Sequence, residues 1–170
     1  KRLSSRGCGV WVERTAGLAA GYSDAAFAEA GAELFDGDAP EAEARWAAAD
    51  VLLCVQAPER GVAALQPGAL LMGLLDPFRN AGLIEQLENR QLSALALEML
   101  PRISRAQAMD ALSSQANIAG YKAVLVAAAA LDRFFPMLMT AAGTVQPAKV
   151  VVLGAGVAGL QAVATARRLG

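Results

Sequence analysis

The segment KVVVLGAGVAGLQAVATARRL, residues 149–169, constrains the fold more than any other. KVVVL reads as a strand covered on both faces, and LQAVATARRL is helical in character. Between them Gly154, Gly156 and Gly159 make G-x-G-x-x-G. The first glycine of such a set permits a tight turn, the second lets backbone approach a pyrophosphate, and the third lets helix pack on strand. Phosphate oxygens at this turn would meet the N–H groups of residues such as Val157 and Ala158, together with the positive end of the helix dipole. Strand, glycine turn and helix in direct succession predict one βα unit of a parallel sheet and a dinucleotide site, with a merely structural turn as the alternative. The carboxylate that would hold a ribose hydroxyl is expected about 20 residues further on. The residues present therefore do not separate NAD from NADP.

The same rhythm runs backwards through the chain. VWVE (10–13) reads as a short strand, Ser23 caps a helix over 24–30 that Gly31 ends, and 32–35 is a second strand. DVLLCV (50–55) is a nearly continuous apolar run bounded by Pro58. Residues 59–65 then read as helical, 69–75 as strand, 81–89 as helical and 92–97 as strand. Apolar strands alternating with helical stretches across Gly/Pro turns predict an α/β fold with a parallel sheet. After Pro101 the spacing of Ile118, Tyr121, Leu125 and Ala128 or Ala129 predicts one long helix. MTAAGTVQP, with Gly143 and Pro147, reads as a linker. The expected organisation is an N-terminal subdomain with its long helix over 1–135, a hinge over 136–148, and the start of a second subdomain over 149–170.

Charge and composition narrow the function. With 15 basic and 16 acidic side chains in 170 residues the formal charge is -1, which offers no electrostatic case for nucleic acid or an acidic membrane surface. Cys8 and Cys54 are the only thiols and there is no His, so neither a metal site nor a Cys-His pair is expected. Two separated thiols fit a reduced, intracellular compartment. The longest apolar run, nine residues over 123–131, is about half of what a membrane crossing needs. A chain that starts at Lys1 and stops at Gly170 inside a motif is expected to be a fragment of a longer protein.

One polar cluster stands out in so aliphatic a chain: RISRAQAMDALSSQANIAGYKAV, 102–124. If Gln107, Asp110 and Ser113 are helical, steps of three place them on one face, with Arg102 held extended just before. An Arg, an amide, a carboxylate and a hydroxyl suit the carboxamide and ribose of a nicotinamide nucleotide. A solvated helix face is the alternative, and spacing alone leaves both open.

These residues carry a resemblance. PRISRAQAMDALSSQANIAGYKAV, followed by FPMLMTAAGTVQPAKVVVLGAGVAGLQAVATARRLG, closely resembles the NAD(H)-binding domain of the proton-translocating NAD(P) transhydrogenase alpha subunit. The resemblance is continuous from Pro101 to Gly170 and extends more loosely through ADVLLCVQAP and AGYSDAAFAEAGA. It implies two Rossmann-like subdomains joined by a long linking helix, the second only begun here, with NADH between them. It further implies that Arg102, Gln107, Asp110 and Ser113 surround the nicotinamide. In that family the domain pairs with a copy of itself. It lies extrinsically on the cytoplasmic side of the membrane and docks on an NADP(H)-binding domain of the beta subunit, beside the membrane domain that carries the proton pathway.

The physical chemistry runs the same way. Hydride transfer between two nicotinamides moves no proton at the reacting carbons, so positioning and dryness suffice. The runner-up, an alanine dehydrogenase-like oxidation of an amino acid, needs proton transfer as well. Where that family carries a Lys in the first block and a His after the next strand, this chain has Cys54 and Asp76. A non-catalytic nucleotide-binding module is the third possibility. Trp11, Trp46 and Phe27 are expected in core or subdomain contacts, Met137 and Met139 at the junction beside Pro136, and Tyr121 in the core. Thr140, Gly143 and Thr144 are expected to form a hinge, and Asp76 to begin a turn.

Overall fold

The computed structural model describes residues 1–170. Its internal contacts divide the chain into two compact units, Lys1–Ala96 and Leu97–Gly170.

In the first unit every strand pairing is parallel, which requires crossovers between successive strands. Strand β1 (Trp11–Glu13) runs through α1 (Asp24–Glu29) to its partner β2 (Glu33–Phe35). The Ser23 hydroxyl accepts the Ala26 N–H at 3.3 Å to start α1, and Gly31 at φ 89° lets the chain leave it, as the sequence predicts. After α2 (Ala42–Ala47) come β3 (Val51–Gln56) and β4 (Leu70–Leu74), then α3 (Ala81–Asn89) and β5 (Ser93–Ala96). These last three strands form one sheet in the order β3-β4-β5. Leu71 on the central strand is wholly buried, and Leu75, Val62, Leu83 and Leu87 pack with it. Leu83 and Leu87, four apart on α3, present one apolar stripe to this core, and the Asn80 side chain caps that helix on the Leu83 N–H. Asp76 does begin a turn: its carbonyl accepts from the N–H groups of Arg79 and Asn80.

Three expectations for this unit are corrected. Residues 59–65 hold only a single 3-10 turn, Val62–Ala64, because Gly61 sits at φ 88°, outside any right-handed helix. Trp11 is no core residue: it is exposed, with the Arg45 guanidinium 5.0 Å from its ring centre and its indole N–H donating to Glu33 Oε2 at 3.1 Å. Phe27 and Trp46 are half-buried rather than central, Trp46 meeting Phe35 edge-on.

The second unit is built on two helices, α4 (Ala111–Ala130) and α5 (Val157–Leu169). Val124 of α4, Ala162 of α5 and Phe135 make its small core, flanked by Ala128, Ala148, Val152, Ala166 and Leu169. The short side chains at these positions let the helices approach closely. Inside 136–148 the chain forms an antiparallel hairpin, β6 (Leu138–Thr140) with β7 (Gly143–Val145). The Thr140 hydroxyl donates to the Gly143 carbonyl at 2.9 Å and accepts the Ala142 N–H at 3.2 Å, which closes the turn. Met137 and Met139 beside it are exposed, as is Tyr121, against the packing expected of them. Residues 149–153 are not a paired strand: no ladder forms, and Val151 and Leu153 are 82% and 96% exposed. A strand is made by its neighbour, and this unit supplies none beside KVVVL. No helix is long and apolar enough to cross a membrane.

Candidate functional site

The polar cluster does not lie on one helical face. Ile103 is extended, Ser104–Met109 form a 3-10 segment anchored by the buried Ala106, and Asp110 leaves helical geometry at φ -74°, ψ 81°. Gln107 therefore sits in the 3-10 segment, Asp110 at the N-cap of α4, and Ser113 in the first turn of α4. A carboxylate at that N-cap ends the segment because it satisfies a helix N–H that would otherwise lack a partner. Asp110 Oδ1 accepts the Ser113 N–H at 2.9 Å. Hydrogen bonding from Ser113, by its hydroxyl and then its backbone N–H, holds the Asp110 carboxyl below the usual range, with a smaller contribution from the Arg102 charge.

The glycine turn shows why each glycine is there. Gly154 stands at φ 112°, a conformation L side chains rarely adopt. A Cβ on Gly159 would lie 2.0 Å from the Gly154 carbonyl oxygen, so turn and helix close on each other only without one. A Cβ on Gly156 would meet nothing within 4 Å. Space over the second glycine, together with an N-terminus of α5 that no side chain caps, leaves the backbone N–H groups of its first turn accessible. That cradle fits a pyrophosphate.

Two cavities connect these features. One of about 230 Å³ is lined by the polar segment itself, including Arg102, Gln107 and Asp110. The other, about 360 Å³, is lined by Arg102, Ser113 and Ala116 together with Leu153, Gly154, Gly156, Val157, Ala158 and Gly159. Gln107 and Asp110 belong to the first, Ser113 to the second, and Arg102 to both. Asn117 and Lys122 are exposed on α4. Two lining residues, Ala116 and Leu153, give no signal in the sequence because neither carries chemistry of its own. Ala116 could have been found from its spacing of three from Ser113.

Parallel α/β units with a strand-end glycine turn at a helix start are the hallmark of Rossmann-like, NAD-binding oxidoreductases. The comparisons narrow the class: residues 1–119 match the alanine dehydrogenase/PNT N-terminal domain and residues 123–170 the C-terminal domain of the same family. The chain belongs to the alanine dehydrogenase/PNT family. It is 49% identical over 176 residues to the first of the polypeptides that make up NAD(P) transhydrogenase subunit alpha in Rhodospirillum rubrum, covering 100% of this chain and 45% of that protein. The crystal structure of transhydrogenase from Sinorhizobium meliloti superposes with a TM-score of 0.89 at 47% identity, over 99% of this chain and 49% of that one. An alanine dehydrogenase of Halomonas elongata is more distant, at 32% identity over 174 residues, covering 100% of this chain and 45% of that protein. The chain thus spans about half the length of these relatives.

Proposed function

We propose that this chain is the NAD(H)-binding part of a proton-translocating NAD(P)+ transhydrogenase, which passes hydride from NADH to NADP+ held on a partner domain. The observation that carries the proposal is the shared cavity: Arg102 and Ser113 line it together with Gly154, Gly156 and Gly159. A group rich in hydrogen-bond donors and a phosphate cradle on one cavity suit the two ends of a single dinucleotide. The higher identity to transhydrogenase subunits than to alanine dehydrogenase supports the same choice. So does Cys54, whose half-buried thiol is pushed up by burial and stays uncharged where a lysine would be needed for amine oxidation.

The bound dinucleotide supplies a hydride at its nicotinamide; everything else falls to the chain. The N–H groups at the start of α5 and the Gly154–Gly156 turn hold the pyrophosphate. Arg102, Gln107, Asp110 and Ser113 orient the nicotinamide and its ribose, Asp110 staying ionised so that it accepts rather than donates. No residue has to move a proton at the reacting carbon, so the work is orientation and exclusion of water. As part of a complex, the domain pairs with a second copy and docks on an NADP(H)-binding domain and a membrane domain coupled to proton translocation. It sits on the cytoplasmic face.

The test is hydride transfer by the full-length protein, assembled with its other subunits, from NADH to NADP+. Turnover that depends on both nucleotides is the expected result. NAD-dependent oxidation of alanine without NADP+ would overturn the proposal in favour of the alanine dehydrogenase branch.

A further inference from the structure

Gly120 is the point at which α4 touches the start of α5. A Cβ on Gly120 would lie 2.1 Å from the Ala158 carbonyl oxygen, 2.9 Å from its carbonyl carbon and 3.0 Å from its Cα. All three are backbone atoms and none can rotate aside. To make room for a methyl group, the 2.1 Å gap would have to open to about 3.4 Å, the distance of ordinary van der Waals contact.

The position of this contact matters more than its tightness. Ser113, Ala116 and Gly120 follow one another at spacings of three and four, so they share one face of α4. Ser113 and Ala116 line the 360 Å³ cavity, and Ala158 lines it too. The face of α4 that forms one wall of the cavity therefore also sets, one turn further along, how far away the opposite wall stands. That opposite wall is the first turn of α5, where Val157, Ala158 and Gly159 present N–H groups that no side chain caps.

Resting on the functional reading above, we infer that Gly120 is a positioning residue for dinucleotide binding. Its missing side chain holds the phosphate-facing turn of α5 at the separation from Arg102 and Ser113 that one dinucleotide can span. Gly120 touches neither nucleotide nor reacting atoms; it acts through Ala158. A glycine in the interior of a helix ordinarily weakens it relative to alanine, so if Gly120 only filled α4, alanine there would raise the melting temperature and leave binding alone.

The separation matters only to a ligand that reaches both walls, and this supplies the test. In the full-length protein, NADH binding is followed by cofactor fluorescence and ADP binding by calorimetry, for wild type, Gly120→Ala and Ala162→Val. ADP carries the pyrophosphate but no nicotinamide, and so engages the α5 side alone. Gly120→Ala is expected to weaken NADH about ten- to a hundredfold, the penalty of misplacing one end of a ligand by about 1 Å, with ADP affinity changed by no more than about twofold. Ala162→Val widens the same helix pair one α5 turn further from the contact, at a residue that is 9% exposed in the core between them. It gives the same split at smaller size and carries the test if Gly120→Ala does not fold. Unchanged NADH affinity with a raised melting temperature, or equal loss of NADH and ADP, overturns the positioning role. Wild-type protein that binds neither ligand overturns the functional reading itself, and the role of Gly120 with it.

Discussion

Asp110 accepts the backbone N–H of Ser113 at 2.9 Å, so one carboxylate both ends the polar segment and starts the long helix of the second unit. Helix capping and site geometry are thereby coupled: whatever moves Asp110 moves the first turn that carries Ser113. Arg102 acts on the same carboxylate through its charge and lines both cavities.

This coupling sets a pH dependence. Hydrogen bonding from Ser113, and less so the Arg102 charge, holds the folded-state pKa of Asp110 below its unfolded value. A group shifted that way adds stability above the unfolded pKa, about 3.9 for Asp, and the gain is lost as pH falls through the lower folded value. Asp110→Asn keeps a capping oxygen but cannot titrate. Its melting temperature should stay near wild type at neutral pH and fall less steeply in the acid range, whereas Asp110→Ala should be lower throughout. Parallel acid limbs for wild type and Asp110→Asn would show that the carboxylate is not held as described.

The three glycines of the turn should separate by property. Gly156→Ala meets nothing within 4 Å, so thermal denaturation should match wild type while NADH affinity in the full-length protein drops by about tenfold or more, the loss of one hydrogen bond to a charged group. Gly154→Ala forces a side chain onto φ 112°, and Gly159→Ala drives one to 2.0 Å from the Gly154 oxygen. Both should lose stability, Gly154→Ala by about 1–3 kcal/mol from backbone strain. If Gly156→Ala binds NADH as wild type does, the space over that residue is not the pyrophosphate site.

How much of this was legible in the sequence depends on whether the determinant is local. Continuous apolar runs such as DVLLCV mark strands covered on both faces, so the parallel sheet, the Ser23 cap and the Gly31 exit from α1 are all readable from residue order. KVVVL carries the same signal and forms no ladder, because pairing belongs to a neighbour and not to the segment. The hairpin at Leu138–Val145 is hidden for another reason: its turn is Ala141-Ala142 rather than Asn-Gly, and the Thr140 hydroxyl supplies the closure. At the site, the residue types of the polar cluster draw attention to Arg102, Gln107, Asp110 and Ser113. The 3-10 geometry that divides them between two cavities depends on burial of Ala106, which pattern does not reveal. Gly120 is the clearest omission: in sequence it is a glycine inside an Ala-rich helix, and only the approach of Ala158 gives it meaning.

Stability of the first unit should depend on its core far more than on its ion pairs. Leu71 is 0% exposed on the central strand, and Leu71→Ala should cost about 2–5 kcal/mol, the cost of a cavity in a packed core. Arg60 reaches Glu13 Oε1 at 2.7 Å and also pairs with Asp38, but its side chain is half exposed. Arg60→Met should cost no more than about 1 kcal/mol, a difference that shrinks further in high salt. Urea denaturation of both variants in the full-length protein checks the ranking, and a larger loss at Arg60 than at Leu71 would reverse it.

Gln107 and Arg102 should part in their kinetics, because they line different spaces. Gln107 borders the cavity of about 230 Å³ formed by the polar segment and is absent from the cavity shared with the glycine turn, whereas Arg102 borders both. A residue at the nicotinamide end alone contributes mainly to orienting the reacting group, so its loss should appear in the rate of the chemical step. One that spans both ends contributes to holding the whole ligand as well. In the full-length protein, Gln107→Ala should lower hydride transfer about tenfold or more with NADH affinity changed by less than about threefold, the pattern of an interaction realised in the transition state. Arg102→Ala should lower both. Single-turnover hydride transfer and equilibrium NADH fluorescence, measured on the same preparations, separate the two effects. Unchanged turnover in Gln107→Ala would remove that residue from the site, and a loss of affinity as large as the loss of rate would move it from orientation to binding.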